Sequence, residues 1–227
     1  MHSSVFQTLI AGGRMARHRH ACGYAALVLK GGYVEAGDRG RFHAEPGHVL
    51  IHGPWESHMD AVARTGAVVL NLPLAGVAFG AGLVDDPDAV ARAAEQDPAG
   101  AAALLRRTAR PLDAAPDDWP DALARALRHD PDTVLEIWAG AAGLAPATVS
   151  RGFRQAFGTS PRRYRADQRA LRAARAIVGS GDAPAALAAE LGFVDQAHMT
   201  RAVAALTGLT PGRLRVKSVQ SGAAVAR

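Results

Sequence analysis

Seven of the nine histidines, His2, His18, His20, His43, His48, His52 and His58, fall in the first 58 residues. Alternate residues of a strand share a face, so His18 and His20 would present two imidazoles side by side. His52 and His58 follow among turn-forming residues. Convergent imidazoles either line a polar pocket for a small effector, as hydrogen-bonding groups, or ligate a divalent metal. Cys22, beside the first pair, reads as a small core thiol, with a soft metal ligand or a redox sensor as the alternatives. Trp55 reads as packing in a core or at its rim. A second set lies in the last third of the chain. Ala147, Thr148, Ser150, Arg151 and Arg154, and again Gln196, Ala197, Thr200 and Arg201, interleave short side chains with arginine and glutamine. Short side chains let a helix sink into the DNA major groove, arginine pairs with guanine edges or phosphates, and glutamine binds adenine edges. No phosphate-binding loop, nucleotide-binding glycine pattern or Ser-His-Asp spacing accompanies either set.

The elements carrying the second set repeat. Arg151, Gly158, Pro161 and Arg165 recur 50 residues on as Arg201, Gly208, Pro211 and Arg215, with Tyr164 answered by Leu214. Upstream, Ala139 and Gly143-Leu144 recur 49 residues on as Ala188 and Gly192-Phe193. Each copy reads as a short helix, a turn opened by glycine and a second helix, which is a helix-turn-helix. In copy one, Val134, Leu135, Trp138 and Ala142 are expected inward on the first helix, and Val149, Phe153 and Phe157 on the second. In copy two the inward residues are Met199, Val203 and Leu206. Pro131, Pro146, Pro161, Pro184 and Pro211 mark helix starts, and Asp130, Ser160, Asp182 and Thr210 sit where caps would lie. Residues 161–178 read as one connecting helix of roughly 27 Å at ~1.5 Å per residue. Adding the width of the flanking helices sets the two recognition helices about one DNA turn, ~34 Å, apart.

The first 80 residues read instead as short strands, at Val5 to Ala11, Tyr24 to Lys30, Tyr33 to Ala36, Val49 to His52 and Ala67 to Leu72. Gly31-Gly32 is a hairpin signal, and Glu45-Pro46-Gly47 and Gly53-Pro54 are turns. A small barrel or sandwich follows from that spacing. Helix formers run from Ala89 to Arg110, before breaks at Pro111, Pro116 and Pro120. The expected division is therefore a sensor or effector domain at 1–80, a helical connector and linker at 81–118 and a DNA-binding domain at 119–217. The fold class is α+β multidomain: a small N-terminal β-barrel, then an all-α domain with two helix-turn-helix units.

Charge agrees with this division. The chain has 26 Lys+Arg against 21 Asp+Glu, a net +5. Within 143–178, Arg151, Arg154, Arg162, Arg163, Arg165, Arg169, Arg172 and Arg175 face one acid, Asp167. Such a concentration suits a polyanion partner. No apolar run approaches the ~20 residues of a membrane-spanning helix, and the start of the chain lacks the pattern of a signal peptide. A cytoplasmic protein without a membrane partner is expected.

The segment GFRQAFGTSPRRYRADQRALRAARAIV (152–178) together with ELGFVDQAHMTRAVAALTGLTPGRLR (190–215) resembles the AraC-type DNA-binding domain. The resemblance covers Val134 to Lys217. It implies two helix-turn-helix units joined by a long helix, with DNA contacts at Ala147, Ser150 and Arg151 and at Gln196, Ala197, Thr200 and Arg201. Upstream, Gly12, five intervening residues and then His18-Arg19-His20 resemble the first cupin motif, and Pro46 to His58 resembles the second. The cupin resemblance implies an effector pocket or metal site built on His18, His20, His52 and His58. The glutamate that follows the paired histidines in metal cupins is absent, because Ala21, Cys22, Gly23 and Tyr24 occupy its place. Glu35 or Glu56 would have to replace it, so no tightly held metal cofactor is expected.

Together these features predict a sequence-specific DNA-binding transcriptional regulator, not an enzyme, that responds to a small effector through its barrel. Double-stranded promoter DNA is the expected partner, with RNA polymerase and a second copy of the chain as further ones. The alternatives are a metal-dependent cupin enzyme with an accessory helical domain and a nonspecific nucleic-acid protein.

Overall fold

The computed structural model describes residues 5–74, 79–112 and 118–216. His2, Pro116 and Lys217 lie outside them. The chain forms strands β1 (Phe6–Leu9), β2 (Arg14–Arg19), β3 (Tyr24–Gly37), β4 (Gly40–Ala44), β5 (His48–His52), β6 (Ser57–Pro73) and β7 (Ala81–Leu83). Helices α1 (Pro87–Gln96) and α2 (Pro98–Thr108) and the short strand β8 (Arg110–Pro111) follow. The rest is helical: α3 (Trp119–His129), α4 (Leu135–Ala141), α5 (Pro146–Phe157), α6 (Pro161–Gly179), α7 (Pro184–Glu190) and α8 (Gln196–Thr207). Among the described residues no helix is long and apolar enough to cross a membrane.

All strands belong to one antiparallel sheet ordered β1-β6-β3-β5-β7-β8, with β2 on β6 and β4 on β3. Alternation along the strands sorts side chains to two faces. Ala25, Leu27, Val49, Ile51, Leu70 and Leu72 form one core, covered by Val90 and Ala94 of α1 and Ala101 and Leu105 of α2. Ala26, Val28, Leu50 and Val69 form the other with Leu9 and Tyr33, and Tyr24 packs against it. β7 and β8 pair beside β5, so residues 81–111 add both strands and a helical cover to the sheet.

Three sequence expectations change here. Gly31-Gly32 makes no hairpin, because β3 runs straight through it with a register shift against β6. Gly31 has φ 67° and faces Gly66 at φ 71°, and a Cβ on Gly31 would collide with the Gly66 carbonyl. The glycine pair lets the two longest strands bend where their backbones touch. The helix expected over 89–110 is two helices. Asp97 closes α1 and caps α2, its carboxylate accepting from Ala99 N at 3.1 Å, and Pro98 opens the second helix. Cys22 is exposed and not a core thiol.

Two cores organise the helical half. Leu123, Ala124, Leu127, Ala139, Val149, Phe153, Phe157 and Tyr164 form the first. The end of α6 with Leu187, Ala188, Phe193, Met199, Val203 and Leu206 forms the second. Val149, Phe153, Phe157, Met199, Val203 and Leu206 are buried as their spacing requires, whereas Val134 and Ala142 are exposed and Ala139 takes the inward position on α4. Pro131 opens a turn that Asp130 holds through Asp132 N at 2.8 Å, and the helix starts only at Leu135, which rotates the inward stripe. Ser160 caps α6 as expected.

The barrel sits against the helical half. Buried Asp38, in the β3–β4 turn, pairs with Arg17 of β2 and accepts from Ser57 N at 2.7 Å. Its carbonyl accepts from Tyr164 Oη at 3.4 Å and Gln168 Nε2 at 3.3 Å, both on α6. Glu56 pairs with Arg39 and with Arg175 of α6. Arg41 pairs with Asp118 at 2.8 Å and Asp121 at 2.7 Å at the start of α3. Trp55 packs on the second helical core, and Ala36 and Met59 belong to the first.

Gly31→Ala combines a positive φ with a backbone collision and should lower stability by about 2 kcal/mol or more. Gly140→Ala, inside α4 with no atom near its Cβ position, should raise it by about 0.5–1 kcal/mol. Urea denaturation of the full chain checks both signs; equal effects would contradict the assigned strand bend.

Candidate nucleic-acid interface and histidine cluster

The second helices of the two units, α5 and α8, turn their apolar stripes inward and leave the opposite faces open. Ala147, Thr148, Ser150, Arg151 and Arg154 are exposed on α5. On α8, Gln196, Ala197 and Arg201 are exposed and Thr200 is half-buried. Every residue singled out from sequence therefore lies on an accessible face of one of these helices. Asp195 caps α8, accepting from His198 N at 2.6 Å. The sequence reading missed this cap because it sought one beside a proline. Both helices end at a left-handed glycine, Gly158 at φ 67° and Gly208 at φ 73°. They are joined through α6, whose 19 residues span about 28 Å at ~1.5 Å each.

The arginine-rich segment is less available to a polyanion than its composition suggests. Arg163 pairs with Asp167 at 2.9 Å, Arg169 with Asp132 at 2.7 Å and Arg175 with Glu56, while Arg165 donates to Thr133 O at 3.3 Å. The Arg163 pair lies within α6, and the other three bind α6 to its neighbours. Arg151 and Arg154 project from the free face of α5.

In the barrel, β2 pairs with β6 so that His18 faces His58 across the ladder. One imidazole nitrogen from each of His18, His20 and His58 lies within 4.8 Å of the others. A second triangle of Glu35, His52 and His58 shares His58 with the first. All four histidines named from sequence are thus brought together. Of the two carboxylates proposed to replace the absent glutamate, Glu35 reaches the cluster, 3.4 Å from both His52 and His58. Glu56 does not, being held by Arg39 and Arg175.

The sequence reading assigned no role here to Tyr24 and Asp60. Tyr24, standing where the cupin glutamate would, has its hydroxyl 3.1 Å from His58 Nε2 and its ring stacked on His52. Asp60 lies 3.3 Å from His58 Nδ1. It sits two residues beyond His58 on the same strand, a period-2 signal that was available.

Burial sets the protonation of the group. It pushes the Glu35 carboxyl up, with the hydrogen bond to His58 opposing. Burial also opposes charge on His58, but the bonds to Asp60 and Glu35 outweigh it and raise its pKa. Both shifts keep a proton within the Glu35–His58–Asp60 group at neutral pH. His52 is driven well below the usual histidine value by burial and then by His58, so it is neutral. Its Nε2 is buried without a hydrogen-bond partner.

Residues 138–217 match the family of helix-turn-helix domains. No curated protein matches the chain. Among solved structures it is similar to the DNA-binding domain of AdpA in complex with a target DNA, at 25% identity, covering 44% of this chain and 93% of that one, TM-score 0.40. A DNA-binding transcriptional dual regulator from Escherichia coli K-12 is 18% identical, covering 48% and 99%, TM-score 0.42. Apo ToxT from Vibrio cholerae is 8% identical, covering 93% and 95%, TM-score 0.42. The repeated units and the family match define the class: residues 138–217 are a helix-turn-helix DNA-binding domain. That domain is preceded by the antiparallel sheet with its helical cover.

Asp195→Ala removes the α8 cap and should cost about 1 kcal/mol of stability, read as a lower melting temperature. An unchanged melt would show that the cap contributes nothing to holding α8.

Proposed function

We propose that this chain is a sequence-specific transcription regulator that reads promoter DNA with α5 and α8 and senses a ligand at the histidine cluster. The observation that carries the DNA reading is the repeated open face, short residues plus arginine, on two helices joined by a rod of about one DNA turn. A regulator is favoured over a metal-dependent cupin enzyme because the strand and the loop bearing the histidines rest directly on the DNA-binding helices. Arginine and glutamine on α8 favour sequence-specific over nonspecific binding.

For the barrel we propose a divalent transition-metal ion as ligand, held by His18, His20 and His58 with Glu35 and His52 behind them. The expectation of no tightly held metal rested on the missing glutamate, and Glu35 supplies a carboxylate to the same group. Two further features favour a metal. His18 Nδ1 lies 2.9 Å from Ala16 O, which leaves Nε2 as the free ligand atom. His58 Nδ1 faces carboxylates, the arrangement that orients metal-binding imidazoles. A bound ion would cross-link β2 to β6.

In a mobility shift with the full chain on sites it has selected from random duplexes, Arg201→Ala should relax base preference at one position by about 1–3 kcal/mol. An unchanged selected motif would remove Arg201 from the reading face. Affinity should also fall steeply as salt rises.

Metal binding requires His58 to give up its proton. Titration of Zn(II) into the full chain near pH 7.5 should therefore release protons, and affinity should weaken steadily as pH falls from about 10, the value to which the bonds to Asp60 and Glu35 raise His58. His18→Ala should abolish the stoichiometric binding. Zinc uptake that is absent in the native chain, or unchanged in His18→Ala, would return the cluster to a pocket for an organic effector.

A further inference from the structure

The strand that carries His18 also touches the ends of both DNA-reading helices. Arg17 Nη1 donates to Phe157 O, in the last turn of α5, at 3.3 Å. Arg19 Nη1 donates to Leu206 O, in the last turn of α8, at 3.1 Å. A cation that bonds the last carbonyls of a helix also complements its dipole. α5 has Arg154 of its own in that turn, whereas α8 has no basic residue there, so Arg19 supplies the charge from the other domain. Arg17 is itself fixed by Asp38 and lies over the Tyr164 ring, 5.7 Å from its centroid. Contact at the end of α5 is close, since a Cβ on Gly158 would stand 2.8 Å from Met59 Sδ and 3.4 Å from Arg17 Cβ.

We propose that Arg17 and Arg19 are positioning residues for DNA reading, each holding the C-terminal end of one recognition helix so that β2 fixes the spacing between α5 and α8. The inference rests on the regulator reading above. Two strand residues advance only ~6.6 Å, so both helix ends are referred to one short, stiff ruler beside the connection through α6. Arg17 and Arg19 share one face of that ruler and His18 occupies the other. Whatever grips the histidines therefore pulls on the element that sets helix spacing. The consequence is specificity for the distance between half-sites, as distinct from their base sequence.

The test compares the native full chain with Arg19→Gln and Arg19→Lys on a site selected by the native protein, and on copies of it with one base pair inserted or deleted between the half-sites. Arg19→Gln should reduce the preference for native spacing at least threefold while keeping the same base preference, and Arg19→Lys should restore much of it. A loss equal at every spacing, or an unchanged preference, would overturn the proposal. Amide exchange gives a readout without DNA: Arg19→Gln should speed exchange in the last turn of α8 and leave that of α5 as it was. Equal protection in both proteins would also overturn it. Should the native chain select no site while exchange changes as stated, the regulator reading fails and the helix-end contact stands.

Discussion

The structure turns on a buried carboxylate. Asp38 is out of water in a tight turn: its carboxylate is satisfied by Arg17 from β2 and the Ser57 amide from β6, while its main-chain carbonyl accepts from Tyr164 and Gln168 of α6. Burial still raises its pKa, with Arg17 opposing, so the pair is held by its surroundings more than it holds them. Removing one partner of such a pair leaves an uncompensated charge and commonly costs about 3–5 kcal/mol. One residue therefore ties the two halves, its carboxylate satisfied within the sheet and its carbonyl bonded from α6.

The same few residues place the histidine cluster. Gly37, beside Asp38, is the ladder partner of His58. Trp55, at φ 62°, and Glu56 lie between His52 and His58 and reach the helices. Thus the two segments that supply the imidazoles, β2 and the β5–β6 region, are also the segments that touch α5, α6 and α8. A sensor needs such a path, because a ligand shifts an equilibrium only through contacts that differ between two states. Here the path consists of those two segments.

The helical half was largely legible in the sequence because its information is local. The spacing of Val149, Phe153 and Phe157, the repeated glycines and the prolines after Ala145, Ser160 and Ala183 each act within a few residues. The barrel was legible only as strands in outline. β2 (RMARHR) has no apolar run to announce it, since its outward arginines are satisfied by helix carbonyls more than a hundred residues away. Gly31 looked like a hairpin for the same reason: only the approach of Gly66 makes it a bend. The cluster followed the same rule. His18, His20, His52 and His58 could be named from motif spacing, whereas the place of Glu35 depended on the pairing of β3 with β6. The roles of Arg17 and Arg19 required the docked domains.

The central claim is that the barrel rests on the DNA-binding helices in one fixed arrangement. It is tested most directly by a pulsed electron-spin distance measurement between labels on Thr65→Cys, exposed in β6, and Ala189→Cys, exposed in α7, in a Cys22→Ser background that removes the exposed native thiol. A single narrow distance distribution, broadened when Asp38→Ala removes the buried carboxylate, is the predicted result. A distribution spread over tens of ångströms in the native background would contradict it, and would mean that the two halves move independently.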